Sequence, residues 1–246
     1  MRRVGWSRPS RQSIGAYGPF LLDAHFAFSD FAGWGGGHNE GFSPCIEASR
    51  GCKCVVDVGA HVGLVTLPMA SVIAPGGFVI AFEPAAANRA LLARHVALNQ
   101  LGDRVRIESS LVGEREQGDV TFYESSSATG KNTLVDGVLG PQSRSSRLSQ
   151  ITLDTYCAMH GLIPEVIKID VEGAEVGVLE GARQLLRDHR PPVFLSVHPR
   201  LIAALGRSTD ELLLILEEVG YECCHIDGSK VEKFALREYL LTPKIS

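Results

Sequence analysis

The sequence predicts one three-layer α/β domain: a mostly parallel, seven-stranded sheet with helices on both faces and a loop-rich N-terminal cap. Three observations carry that expectation. Short apolar runs recur from Cys54 onward and alternate with longer stretches of helical spacing. A glycine-bearing turn, Asp57-Val58-Gly59-Ala60-His61-Val62-Gly63, joins the first apolar run to the first helix. The 246 residues, 45% of them hydrophobic and 21% charged, suffice for one well-buried core but not for two generous domains.

Residues 1–50 are rich in glycine and aromatics, as in FAGWGGGHNEGF (31–42), and hold no sustained period. They read as a cap or tail of the same domain, with a short helix near 43–49. The start, MRRVGWSRPSRQS, is basic, but no apolar run comes after it, so it reads as a solvated tail rather than a secretory signal. The main body occupies 51–246. There CVVDV (54–58) is the first strand, 64–73 a helix, FVIAF (78–82) the second strand, and 88–100 a helix carrying Leu91, Leu92, Val96 and Leu98. VRIES (105–109) is the third strand, and DVTFYE (119–124) alternates as an extra one. Residues 125–150, serine-rich and holding Lys131, Arg144 and Arg147, read as an inserted surface loop. Next come a helix over 153–160, the strand EVIKID (165–170), and one helix over 175–188 closed by Pro191-Pro192. The strand VFLSVH (193–198), a helix over 209–219, and the strands YECCHI (221–226) and FALREYLL (234–241) complete the chain.

Composition excludes several function classes. A net charge of −4 provides no basic field for nucleic acid. The uncharged stretch 64–82 approaches membrane-spanning length, yet Pro68, Pro75, Gly76 and Gly77 break it, so no membrane span and a cytoplasmic protein are expected. Six cysteines lack the paired spacing of a zinc site and read as small, reduced, buried hydrophobes.

The glycine turn and the acid beyond the next strand point to a ligand. In an open α/β sheet, ligands sit beyond the carboxyl ends of the strands at the switch point. Asp57, Gly59, Ala60, His61 and Gly63 lie at that end of the first strand, where glycine permits close backbone approach and a helix start offers N–H groups. Glu83, just after the second strand, is placed to accept both hydroxyls of an adenosine ribose. A nicotinamide dinucleotide uses the same architecture. However, the turn is G-x-x-x-G rather than G-x-G-x-x-G, and no tyrosine has a lysine four residues on. S-adenosylmethionine, with a carboxylate, a ribose and no phosphate, fits better.

The chain resembles the FkbM family of S-adenosylmethionine-dependent methyltransferases, within the class I Rossmann-like group. The carriers are VVDVGAHVG (55–63), AFEPAAANRALLARHVALN (81–99), ITLDTYC (151–157), IKIDVEGAEVGVLEGA (167–182) and VFLSVHP (193–199), in family order across about 40–242. The resemblance implies O-methylation of a hydroxyl on a sugar, glycolipid or polyketide. The alternatives are a relative acting on nitrogen or on a protein, and a non-catalytic adenosine-ligand binder. The family usually carries Asn where this chain has His61, whose imidazole either crowds the methionine end of the cofactor or donates to its carboxylate.

IKID then becomes a central strand. Period-two geometry puts Lys168 and Asp170 on one face, with Asp170 nearest the ligand end. Lys168 reads either as a buried partner of an acid such as Asp170 or as a direct site residue. Asp170 and Glu172 are candidate catalytic carboxylates, and Asp170 also a cofactor contact. Glu175 reads as compensation of a helix dipole. His198, closing the fifth strand, is the first candidate for a general base. A neutral imidazole in that role gives an activity limb through about pH 6–7. His38 is a candidate acceptor contact. No metal-ligand spacing calls for a cation, although Asp170 and Glu172 are compatible with one. Residues 125–150 and the Gly33–Gly37 run flank the pocket as candidate lids.

Overall fold

The structure is a computed structural model and describes residues 8–23, 33–125, 132–137, 139 and 143–244. It opens with a hairpin of β1 (Ser10–Ile14) and β2 (Tyr17–Leu22), a single 3-10 turn at Gly37–Asn39, and helix α1 (Phe42–Ala48). The alternating body comes next: β3 (Cys54–Val58), α2 (Thr66–Val72), β4 (Phe78–Phe82), α3 (Ala86–Leu98) and β5 (Val105–Glu108). A small excursion of β6 (Leu111–Val112), β7 (Gln117–Glu124) and β8 (Arg144–Ile151) leads to α4 (Leu153–His160) and β9 (Val166–Ile169). Then come α5 (Glu175–Glu180), α6 (Arg183–His189), β10 (Val193–Val197), α7 (Pro199–Ala204), α8 (Thr209–Val219), β11 (Tyr221–His225) and β12 (Arg237–Pro243).

The main sheet has seven strands in the order β11-β12-β10-β9-β3-β4-β5. The five from β10 to β5 are parallel, and β12 and β11 join antiparallel at one edge. The strands are buried on both faces, so alternation sorts their residues between two cores rather than between core and water. Val56, Val58, Ile80, Ile167, Ile169 and Leu195 pack under α4, α5, α6 and α8. Val55, Val79, Ala81, Val105 and Val166 pack under α1, α2, α3 and the hairpin.

Several expected elements differ. The cap contains a hairpin: Ile14, Phe20 and Leu22 are buried, and Asn99, the C-cap of α3, exchanges hydrogen bonds with the Leu21 backbone (2.8 and 2.9 Å). The basic start (1–7) and Lys131 lie outside the described residues. The second half of 125–150 is not loop, because β8 pairs with β7 and β6 in a three-stranded sheet. Its buried contact is slight, Leu148 against Leu111, Phe122 and Ala85, which explains the weak apolar signal. The helix expected over 175–188 is two helices. At Gly181 between them, an added Cβ would stand 2.1 Å from the Gly113 carbonyl oxygen, and Asp154 caps α6 through the amides of Gln184 and Leu185. His198 does not end a strand but is the N-cap of the six-residue α7, with Pro199 at its first position.

The chain steps β3-β4-β5 one way across the sheet and returns to β9 on the other flank of β3, so the switch point lies between β3 and β9. Gly59 sits there with φ +85, and a Cβ on it would fall 1.8 Å from the Asp170 carbonyl oxygen. Gly59→Ala therefore forces both a disfavoured backbone and a separation of the two strand ends. It should lower stability by at least ~2 kcal/mol in urea unfolding. A loss below ~0.5 kcal/mol would mean that these strand ends yield freely.

Candidate functional site

A cavity of 690 Å³ opens at the carboxyl ends of β3, β4 and β9. Gly59, Ala60 and His61 form one wall, Glu83 and Pro84 a second, and Lys168, Asp170 and Glu172 the floor. Trp34, His38, Asn39 and Phe42 of the cap close one side, while Ser110, Leu111, Phe122, Asn132 and Leu134 close another. Asp57, Gly63 and His198 are absent from this lining.

The turn after β3 does not present a bare helix start. The amides of Gly59 and Ala60 both donate to the Phe82 carbonyl (3.0 Å each), and that of His61 donates to Glu83 Oε2 at 2.7 Å. Helix α2 begins only at Thr66. What the turn offers is shape. His61 adopts φ +52, a left-handed conformation that Asn and His tolerate better than most side chains. Its Nε2 is buried without a hydrogen-bond partner, and burial pulls its pKa down to about 4, so the ring is neutral. Gly63 serves packing: at φ +95 it admits Leu92 of α3, whose Cδ1 would lie 2.7 Å from an added Cβ.

Glu83 is 4% exposed. Its Oε1 accepts from the Ala85 amide (2.9 Å) and the Asn88 side chain (3.4 Å), which fixes the carboxyl against the cavity wall. Burial pushes its pKa up to about 7, despite the amides that favour the charged form.

Lys168 answers to Asp57 before Asp170. Its Nζ lies 3.1 Å from Asp57 Oδ1 and 3.8 Å from Asp170 Oδ2, and it donates to the Gly59 carbonyl at 3.4 Å. Asp57 Oδ2 accepts from the Thr66 hydroxyl at 2.6 Å, so Asp57 lies beneath the turn, not in the cavity wall. Burial penalises the ammonium, but Asp57, Asp170 and Glu238 outweigh it and hold its pKa above the ordinary value.

Four groups from three segments converge past the end of β9. His198 Nδ1–H donates to Glu175 Oε1 at 2.7 Å, while its Nε2 stands 3.8 Å from Asp170 Oδ1 and 3.7 Å from Glu172 Oε1. Glu172 reaches inward from φ +50, a strained backbone of the kind found at sites. Glu175 is fully buried and accepts from the Gly173 amide, so its role exceeds dipole compensation. Burial lowers the pKa of His198, but Glu175, Asp170 and Glu172 more than offset this and raise it to about 9. The imidazole is thus protonated at neutral pH. A limb at pH 6–7 from a free His198 base does not follow from this geometry.

The methyltransferase FkbM domain matches residues 57–223. The chain belongs to the FkbM methyltransferase family. Solved structures share its Rossmann-like methyltransferase fold. An FkbM methyltransferase from Methylobacillus flagellatus KT is 21% identical at TM-score 0.50, covering 78% of this chain. This FkbM chain spans only 44% of that relative's length. An O-methyltransferase from Bacillus cereus, solved in complex with SAH, is 13% identical at TM-score 0.50 over 89% of this chain and 83% of its own. A precorrin-6y C5,15-methyltransferase from Geobacter metallireducens GS-15 is 11% identical at TM-score 0.50, over 92% and 97%. At these identities the likeness carries the fold alone. No curated protein sequence matches. Among the described residues, no helix is long and apolar enough to cross a membrane.

Two parts of the site escaped the sequence reading. Trp34, Asn39 and Phe42 lacked any periodic signal. Glu238, 2% exposed on β12, reads in sequence as one polar residue of an alternating strand. It accepts from the Ser196 hydroxyl at 3.0 Å and from the Gly41 amide, tying the cap to the sheet.

Lys168→Met leaves Asp57 buried without its cation and should cost about 3–5 kcal/mol in denaturant unfolding. Asp57→Asn combined with Lys168→Met should recover part of that loss. Equal stability of wild type and Lys168→Met would remove the pair from its structural role.

Proposed function

We propose that this chain is an S-adenosylmethionine-dependent O-methyltransferase acting on a hydroxyl of a sugar, glycolipid or polyketide-type small molecule. The carrying observation is Glu83, a buried carboxyl at the end of the second parallel strand, already held by the His61 and Ala85 amides. Of its four lone-pair positions three are taken, by the two amides and the Asn88 side chain; Oε2 keeps one for a ribose hydroxyl, and the long Asn88 bond at 3.4 Å is the one that yields to a second. A ribose at Glu83 directs the base toward Pro84, Ser110 and Leu111 and the methionine end toward Gly59, Ala60 and Asp170. The unpartnered Nε2 of His61 supports a hydrogen bond to the methionine carboxylate, with the side chain in its neutral form. Asp170 supplies an anion for the ammonium and sulfonium.

The acceptor enters over Asp170 and Glu172. Trp34, Phe42, Asn39 and Asn132 beside that acidic floor suit a molecule with an apolar face and a hydroxyl edge. The acceptor oxygen's lone pair forms the new bond to the methyl carbon. The S–C bond breaks with its pair returning to sulfur, and the hydroxyl proton passes to a water at Asp170. The sulfonium methyl is already electrophilic, so protein catalysis consists mainly of in-line alignment in a dry site. His198, protonated at neutral pH, positions the carboxylates rather than abstracting the proton.

S-adenosylmethionine or S-adenosylhomocysteine should bind at micromolar levels and NAD negligibly. Glu83→Ala should weaken binding by about 1.5–3 kcal/mol in calorimetry, since a charged acceptor of two hydroxyls is lost. The pH dependence has a definite sign. The carboxyl pKa of about 7 is raised, so the protein itself gains stability from Glu83 at low pH and loses it as pH climbs toward 7. Ribose hydroxyls favour the carboxylate, so cofactor affinity rises as pH passes through about 7. Affinity that is flat between about pH 6 and 8, or unchanged in Glu83→Ala, would sink this assignment.

A further inference from the structure

We infer that Asp170, Glu172 and His198 form a divalent-cation site at the acceptor end of the cavity, with Glu175 as the outer carboxylate that orients the histidine. One ligand atom from each of the three lies within 4.8 Å of the others. His198 Nε2 is 3.8 Å from Asp170 Oδ1 and 3.7 Å from Glu172 Oε1, too far for hydrogen bonds. Cation–ligand bonds of about 2.0–2.6 Å put neighbouring ligand atoms about 3–3.5 Å apart. The two imidazole–carboxyl gaps exceed that spacing by only a few tenths of an ångström.

Three further features favour an ion over an incidental cluster of carboxyls. The set is mixed, two carboxyl oxygens and an imidazole nitrogen, which suits Mn²⁺ or another transition ion better than Mg²⁺ or Ca²⁺, whose preferred ligands are all oxygen. The Nδ1–H bond to Glu175 at 2.7 Å orients the ring so that an ion displacing the Nε2 proton meets the Nε2 lone pair, the usual outer arrangement of a ligating histidine. Glu175 is itself fully buried, and its Oε2 has no hydrogen-bond partner.

The site rests on the proposed methyl transfer for its purpose, and it narrows the acceptor. Three protein ligands leave adjacent positions open on the side of Asp170 and Glu172, both of which line the cavity. An acceptor presenting two neighbouring oxygens, such as a vicinal diol, fits them. The cation stabilises the charge that develops on the acceptor oxygen as its proton leaves to water.

The test is binding of Mn²⁺ to chelator-treated protein, followed by the loss of its free electron paramagnetic resonance signal. One ion per chain should bind with a Kd below about 1 mM. Glu172→Gln and His198→Gln should each weaken it at least ~10-fold, and Glu175→Gln about 10–100-fold. On wild-type protein, where folding is not at issue, the bound ion should show nitrogen hyperfine coupling from a directly attached imidazole. Absence of saturable binding, absence of that coupling, or unchanged affinity in the variants each overturns the site. S-adenosylhomocysteine calorimetry in the presence of chelator separates the two readings. Cofactor binding without Mn²⁺ binding defeats only the cation site, whereas loss of cofactor binding defeats the proposed function.

Discussion

The rest of the site depends on a lysine and an aspartate facing each other across two parallel strands. Asp57 of β3 and Lys168 of β9 are register partners, and both are almost entirely withdrawn from water. Two buried charges cost several kcal/mol each in desolvation and persist only where their geometry is well satisfied. Here it is, because Asp57 also takes the Thr66 hydroxyl and Lys168 also reaches the Gly59 carbonyl. One pair thereby fixes the first turn of α2, the glycine turn and the end of β9. It does so where the chain reverses its direction across the sheet, and where plain hydrophobic packing would let the strand ends splay.

The readable parts of this fold are those whose signals are local. Helix α8 spans Thr209–Val219, as its sequence predicts, because Ser208 and Glu211 make a capping box and Gly220 closes the end in a left-handed conformation. The central strands were legible because they are buried on both faces and read as continuous apolar runs. What escaped was specified at a distance. Nothing near Gly181 announces the Gly113 carbonyl that packs against the chain there and leaves no room for a Cβ, since the two residues meet only after folding. The hairpin of the cap has just Ile14, Phe20 and Leu22 to signal it, and β8 little more than Leu148. At the site, alternation put Lys168 and Asp170 on one face. It could not show that the principal partner of Lys168 is Asp57, 111 residues away.

His198 shows the same limit in electrostatic form. A histidine at a strand end invites a role as a base, and its ordinary pKa suits one. The fold instead places three carboxylates around the ring, one in hydrogen-bond contact, and the proton is held to about pH 9. Burial alone would have made the opposite change, as it does for His61, where no carboxylate overrides it. Two histidines a few strands apart are thus driven to opposite protonation states by their neighbours. The neutral one lines the cavity, and the charged one stands among the carboxylates past the end of β9.

The family match and the cavity divide the site along the chain. Residues 57–223 contain Gly59, His61, Glu83, Asp170, Glu172 and His198, the groups clustered at the strand ends. Trp34, His38, Asn39 and Phe42, which close one side of the cavity, precede that span. They are held by residues beyond its other end. Arg237 of β12 grips Glu40 at 2.6 Å, and the neighbouring Glu238 takes the Gly41 amide. Successive residues of a strand point to opposite faces, so β12 engages the cap from both sides of its own backbone. Burial and nearby Asp170 raise the Glu238 pKa to about 7, a cost tolerated because the Ser196 hydroxyl and the Gly41 amide satisfy it. Residues before and after the matched span therefore cooperate in this wall, the first lining it and the second holding it in place. On the proposed reading that wall meets the acceptor, while the lysine–aspartate pair and Glu83 lie inside the matched span.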